Sequence, residues 1–145
     1  SAGDVDNDEE IDDVASNFGL NSKYHATAEK PALRYYGDFE GDGTKRLIEA
    51  EYEDGVLYPV RGKSCSTRAI PHLAEKFETF KSFAVAELKK IYRPECFRDS
   101  LKFTATTLES GIFINDGSAR FEFHPLPRIA QISPAFGSEI GRAHV

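Results

Sequence analysis

The 145-residue chain contains no methionine and no tryptophan, and cysteine appears only at Cys65 and Cys96. It opens Ser1-Ala2 without a signal peptide, a pattern that points to a processed chain, an excised domain or a cloned fragment. No apolar run approaches the roughly 20 residues that a membrane-spanning helix requires. Positive charge is also short. The formal net charge is −6, which disfavours nucleic acid as a partner because phosphate binding needs clustered Lys and Arg. Two cysteines leave two readings open: a disulfide stapling the segment between them, as in an exported protein, or two thiols packed as small hydrophobes.

Catalytic signatures are equally scarce. Ser64, Cys65, Ser66 and His72 lie near one another in sequence, but nothing supplies a nucleophile elbow or a positioned base. His25, His72, His124 and His144 have no metal-ligand spacing. No glycine-rich phosphate loop is present. Paired carboxylates are plentiful, which keeps glycosidase-like chemistry open, although an acid-rich surface brings such pairs together by chance. The residues favour a non-enzymatic protein.

What the chain does have is an acid ladder. Tyr35-Tyr36-Gly37-Asp38-Phe39-Glu40-Gly41-Asp42-Gly43 sets acids at alternate positions, Asp38, Glu40 and Asp42, ahead of the apolar pair Leu47-Ile48. Alternate side chains on a curling backbone can converge their oxygens, and a following glycine lets the chain reverse without a Cβ clash. Hard oxygens suit Ca²⁺. An earlier stretch, Asp4-Val5-Asp6-Asn7-Asp8-Glu9-Glu10-Ile11-Asp12, echoes the ladder. Two copies of one acidic loop, each running into an apolar stretch, suggest a repeat.

These loops resemble the D-x-D-x-D-G-x-x-D calcium loop of FG-GAP/VCBS repeats, the units of integrin-like β-propellers. The resemblance extends through Leu33 to Phe39, through Gly111-Ile112-Phe113-Ile114-Asn115-Asp116-Gly117 to Phe121, and through Leu126-Pro127-Arg128 to Pro134. It covers most of residues 4–137 and is nearest to the bacterial branch related to proteins with the cartilage acidic protein (ASPIC/UnbV) signature. It implies structural Ca²⁺ held by Asp4, Asp6, Asp8 and Asp12 in the first loop and Asp38, Glu40 and Asp42 in the second. It also implies an exported module, extracellular, periplasmic or on the cell surface, that binds proteins or glycans. Two positions depart from the pattern. Glu9 stands where the family has glycine, and Arg46 stands where it usually has aspartate. A guanidinium cannot ligate Ca²⁺ and pairs with a carboxylate instead, so a second reading makes the central loop a tight turn in which Arg46 or water replaces the metal. A third reading is an EF-hand, since Gly43 is sixth and Glu49 twelfth from Asp38. Lys45 in the eighth place and the extended look of the flanks count against it.

Along the chain, residues 1–13 carry seven acids. They read either as a self-repelling tail or as a loop that orders when a cation neutralises it. Residues 20–31 read as a connecting loop and Ala32 to Tyr36 as a strand. Ile48, Ala50 and Tyr52 alternate with Glu49, Glu51 and Glu53 in a half-buried strand. Asp54-Gly55 makes a hairpin turn, and Val56 to Val60 returns as an edge strand or bulge marked by Pro59. Within a helical insertion at 66–93, Leu73, Phe77, Phe80, Ala84, Leu88 and Ile91 fall at helical spacing near residues 67–92. Thr79 is positioned to cap a second helix, and Pro94 to stop it. Leu101, Phe103 and Ala105 predict a half-buried strand, followed by a hairpin over 111–124. The expected fold is mainly β (α+β), an antiparallel blade-like sheet in a single domain over 1–137, amounting to about one blade and part of a neighbour, with a tail at 138–145 outside it. An open blade leaves edges around Val56–Val60 and Phe121–His124. A homo-oligomer joined through such an edge, or through a helix face of Phe77, Phe80 and Phe83, is expected. The alternative to a binding module is a small-ligand domain or orphan enzyme using a crevice between helix and sheet beside His72 and Cys65.

Overall fold

A computed structural model describes residues 1–141 and is mainly β, with two four-stranded antiparallel sheets and five short helices. The strands are β1 (Ala2–Gly3), β2 (Asp12–Ala15), β3 (Ala32–Asp38), β4 (Lys45–Glu53), β5 (Val56–Pro59), β6 (Leu101–Ala105), β7 (Gly111–Asn115) and β8 (Phe121–Pro125). The helices α1 (Lys63–Ala69), α2 (Leu73–Lys76), α3 (Phe80–Ala84), α4 (Leu88–Ile91) and α5 (Pro94–Arg98) all lie between β5 and β6. No helix among the described residues is long and apolar enough to cross a membrane.

The chain forms two compact units. One is residues 24–107; the other joins residues 1–23 to 108–145. In the continuous unit the strand order is β5-β4-β3-β6. Its hairpin β4–β5 turns at Asp54-Gly55, where φ is +48° and +81°, the left-handed pair that a two-residue hairpin turn requires. One face of the sheet offers Leu33, Tyr35, Ile48 and Ala50 to the helices, which return Ile70, Leu73, Phe77, Phe83, Leu88, Ile91 and Tyr92; all are buried. Phe39, just past β3, completes an aromatic cluster, with ring centroids 5.2 Å from Phe97 and 5.7 Å from Tyr92. Edge-on rings at such distances gain from their quadrupoles as well as from burial.

The helical insertion is more broken than its periodicity predicts. Pro71 follows Ile70, and a residue before proline is pushed out of the α region, so α1 ends there with Ile70 at φ −136°. Thr79 caps as expected, its hydroxyl accepting the Ser82 N–H at 3.0 Å. Pro94 starts α5 instead of stopping a helix, because its missing N–H costs nothing in the first turn. Each break rotates the apolar face. Phe83 and Ala86 therefore enter the core while Phe80 (68% exposed) and Ala84 face outward. With Phe77 and Phe83 both buried, the three phenylalanines do not form a free helix face.

In the discontinuous unit the order is β1-β2-β7-β8, with Asp13 opposite Phe113 and Phe113 opposite Phe123. Its interior is largely polar. Ser110 and Gln131 are buried and bonded to each other: the Gln131 Oε1 accepts the Ser110 N–H (2.9 Å), and its Nε2 donates to the carbonyls of Ser110 (2.8 Å) and Leu126 (3.0 Å). Ser138, expected to begin a tail outside the fold, touches it. The Ser1 hydroxyl donates to the Ser138 carbonyl at 2.9 Å, and the Ser138 hydroxyl reaches the Val14 carbonyl at 3.5 Å. Residues 142–145 of that tail lie outside the described residues.

β6 also departs from expectation. Its alternation predicts one buried face, but all five of its residues are exposed, because it is an edge strand whose neighbour β3 is its only partner among the described residues.

Core and surface aromatics in the insertion should separate cleanly. Leu88→Ala is expected to cost about 2–5 kcal/mol in urea unfolding, since Leu88 is 1% exposed. Phe80→Ala, which removes little beyond its contact with Lys63, should cost less than about 1 kcal/mol.

Candidate functional site

Both acidic stretches fold as loops between strands, the first between β1 and β2 and the second between β3 and β4. The flanking strands exclude the EF-hand, which needs helices. Their backbones correspond at the third and fifth residues after the leading aspartate. Asp4 accepts the N–H groups of Asn7 (2.6 Å) and Asp8 (3.2 Å) on one oxygen and of Glu9 (3.2 Å) on the other. Asp38 accepts those of Glu40 (3.1 Å) and Gly41 (2.6 Å) on one oxygen and of Gly43 (2.8 Å) on the other. Four residues after each leading aspartate, Asp8 accepts the Glu10 N–H (2.9 Å) and Asp42 the Thr44 N–H (2.8 Å). Left-handed φ falls at the same two places, Asn7 (+66°) and Glu9 (+73°) in the first loop and Gly41 (+82°) and Gly43 (+81°) in the second. Glu9 thus adopts the conformation that the glycine of the pattern is there to permit.

The acids behave differently in the two loops. In the first, Asp4, Asp6 and Asp8 are exposed and each brings an oxygen within 4.8 Å of the others. Such a group is one that could hold a metal ion, and exposed acids are often grouped this way without one. Partial loss of water and the charges of Asp8, Asp12 and Asp4 raise the pKa of Asp6. Asp12 is set apart: it is fully buried and accepts the N–H of Val5 and of Asn115, both at 2.9 Å, which pins the loop to β7.

In the second loop a guanidinium stands among the acids. Arg46 donates to both oxygens of Asp42 (2.9 and 2.8 Å), to Glu40 (3.0 Å), and to the carbonyls of Thr44 (2.9 Å) and Ala69 (2.8 Å). The last bond ties the loop to the end of α1. Hydrogen bonds from Arg46, then the Thr44 N–H, hold the Asp42 carboxyl well below the usual carboxylate range. The N–H groups of Gly43, Gly41 and Glu40 lower Asp38. His72 Nδ1 lies 2.8 Å from the other oxygen of Glu40.

Two features depart from their reading in the sequence. Glu49 is buried in β4 and takes Arg34 (3.2 Å), Arg61 (3.0 Å) and the Tyr24 hydroxyl (3.5 Å). Burial opposes its ionisation, but the hydrogen bonds and charges of Arg61 and Arg34 outweigh it and lower its pKa. The pairing of Arg34 with Glu49 across β3 and β4 is the one signal that could have suggested it. Beside this group, a crevice of about 40 Å³ lies between β4 and α1, lined by Ile48, Arg61, Cys65, Ser66 and Tyr92 among others. It has room for a few waters and is far below the 300–1,000 Å³ of a typical ligand pocket. His72 does not line it. Both cysteines are free thiols, Cys65 exposed and Cys96 buried.

No protein-family model, curated protein or solved structure matches this chain.

Two substitutions test the loop geometry. Relieving left-handed strain gains about 1–2 kcal/mol against about 0.5–1 kcal/mol of added chain entropy. Glu9→Gly is therefore expected to raise stability by up to about 1.5 kcal/mol, and Gly43→Ala to lower it, both read from denaturant midpoints. Arg46→Ala should destabilise at pH 7. Asp42 is lowered in the folded state from an ordinary 3.8, so its contribution is complete above that value. The gap between R46A and wild type should close as pH falls well below it.

Proposed function

We propose that this chain is a non-enzymatic, calcium-stabilised binding or scaffolding module of FG-GAP/VCBS type, from an exported bacterial-type protein, whose partner is a protein or a glycan. The observation that carries this reading is the convergence of Asp4, Asp6 and Asp8 in a loop whose backbone is repeated around Asp38. One cation among the three carboxylates would relieve their mutual repulsion and hold the loop ahead of β2. Three exposed carboxylates make a weak site, of the kind that fills at the high calcium levels found outside cells, which supports an extracellular, periplasmic or surface location. In the second loop, Arg46 supplies the positive charge for Glu40 and Asp42, so the expected stoichiometry is one ion per chain. The module also self-associates, through a strand edge.

Thermal melts in Ca²⁺ and in EDTA, with Mg²⁺ as a control, test the calcium reading. A ligand at about 100 times its Kd adds about 2.7 kcal/mol to the folded state, so Ca²⁺ should raise the melting temperature. Asp6→Asn should have opposite effects in the two media. In EDTA it removes a crowded charge and raises stability; in Ca²⁺ it removes a ligand and abolishes the response. Arg46→Ala should leave the calcium-induced shift in place. A wild-type melt identical in Ca²⁺ and EDTA would sink the calcium reading.

A further inference from the structure

We propose that β6 is a self-pairing edge, through which two copies of this chain join β6 to β6 about a two-fold axis into one continuous antiparallel sheet. Soluble proteins blunt their edges with proline, charge or short strands, and the other edges here are blunted. β5 contains Pro59 and lies against Glu51 and Glu53. β8 contains Glu122, His124 and Pro125, and β1 is two residues long. β6, Leu101-Lys102-Phe103-Thr104-Ala105, has no proline and one charge, and none of its residues is covered. Leu101 (59% exposed) and Phe103 (55%) share a face with the half-exposed Tyr36, which stands opposite Leu101.

An edge strand offers alternate N–H and C=O groups pointing away from its sheet, so its partner must be an extended strand. Between two copies of β6, charge and length select one register. With the axis through Phe103, all five residues pair: Leu101 faces Ala105, the single charge Lys102 faces Thr104, and Phe103 faces its copy. Moving the axis to Lys102 sets lysine against lysine, and moving it to Thr104 carries Leu101 and Lys102 past the end of the partner strand. A five-residue strand is only about 17 Å long, so the contact buries less than the roughly 800 Å² per partner of a stable interface. The dimer is therefore weak and concentration-dependent. Each copy carries a net −6, so added salt, which screens that repulsion, should strengthen it.

This inference names the edge used in the self-association proposed above and is independent of calcium, so sedimentation is run in EDTA. From roughly 10 µM to roughly 1 mM, the weight-average mass of the full chain should rise from 16.1 kDa toward twice that value, and rise further with salt. Phe103→Lys, at an exposed position and with fold checked by circular dichroism, should remain monomeric. In a Cys65→Ser background, Phe103→Cys should oxidise to a disulfide-linked dimer while Thr104→Cys, displaced from its own copy, should not. A mass that stays at 16.1 kDa throughout overturns the proposal. So does a dimer indifferent to Phe103→Lys, or equal crosslinking at positions 103 and 104.

Discussion

Each acidic loop depends on one carboxylate that takes backbone N–H groups three and five residues ahead. Asp4 and Asp38 do this with the same partners in sequence. A charged acceptor satisfying several N–H groups is among the stronger hydrogen-bonding arrangements available at a surface, and it dictates where the next side chains go. In the second loop it sends Phe39 inward to Phe97 and Tyr92. It also leaves Glu40 and Asp42 where Arg46 can bridge them, and the same guanidinium reaches the Ala69 carbonyl. One aspartate thus sets a chain of contacts from β3 through the loop to α1.

The two units rest on different physics. The continuous unit contains the whole hydrophobic cluster and nearly balances its charge, 14 basic residues against 13 acidic for a net +1. The discontinuous unit has 4 basic against 11 acidic, a net −7, and Leu108 is its one buried hydrophobic side chain among the described residues. Apolar burial at about 25 cal/mol per Å² therefore contributes little there. Its cohesion falls to strand pairing and to buried polar groups, Asp12, Ser110 and Gln131, each fully partnered. A buried polar group left without its partner costs about 1–3 kcal/mol, so those three positions matter more in this unit than any one of its exposed phenylalanines.

Much of this was legible where a local rule governs a local outcome. The acid ladders, the Asp54-Gly55 turn, the Thr79 cap and the hairpin over β7 and β8 all follow from side chains acting within a few residues. Two of the misses, at β6 and in the insertion, arise because alternation and helical spacing describe what a segment could bury and not what is available to cover it. Leu101, Phe103 and Ala105 alternate like a half-buried strand, yet all five residues of β6 are exposed among the described residues. In the insertion, spacing read straight through Pro71, a break stronger than the apolar period. The division into two units was hidden for a different reason: β2 pairs with β7 about a hundred residues later, and no local pattern records so distant a contact. At the site, the ladder located both loops and Arg46 announced its own pairing. Which trio converges was not readable, because Asp12 and Asp8 look alike in sequence and only the fold turns Asp12 toward the backbone of Val5 and Asn115.

The departures at Glu9 and Arg46 then take on opposite meanings. Glu9 keeps the glycine's backbone conformation without its freedom, so the first loop carries strain as well as crowded charge. Arg46 does the reverse, bringing a permanent cation to the second loop on a tether that also anchors α1. Neutralising converged carboxylates from within removes the dependence on a free ion but fixes the loop to one neighbour. Leaving them open keeps the loop responsive to its surroundings. The chain contains both arrangements on one backbone design, and the open trio lies in the unit with almost no apolar core.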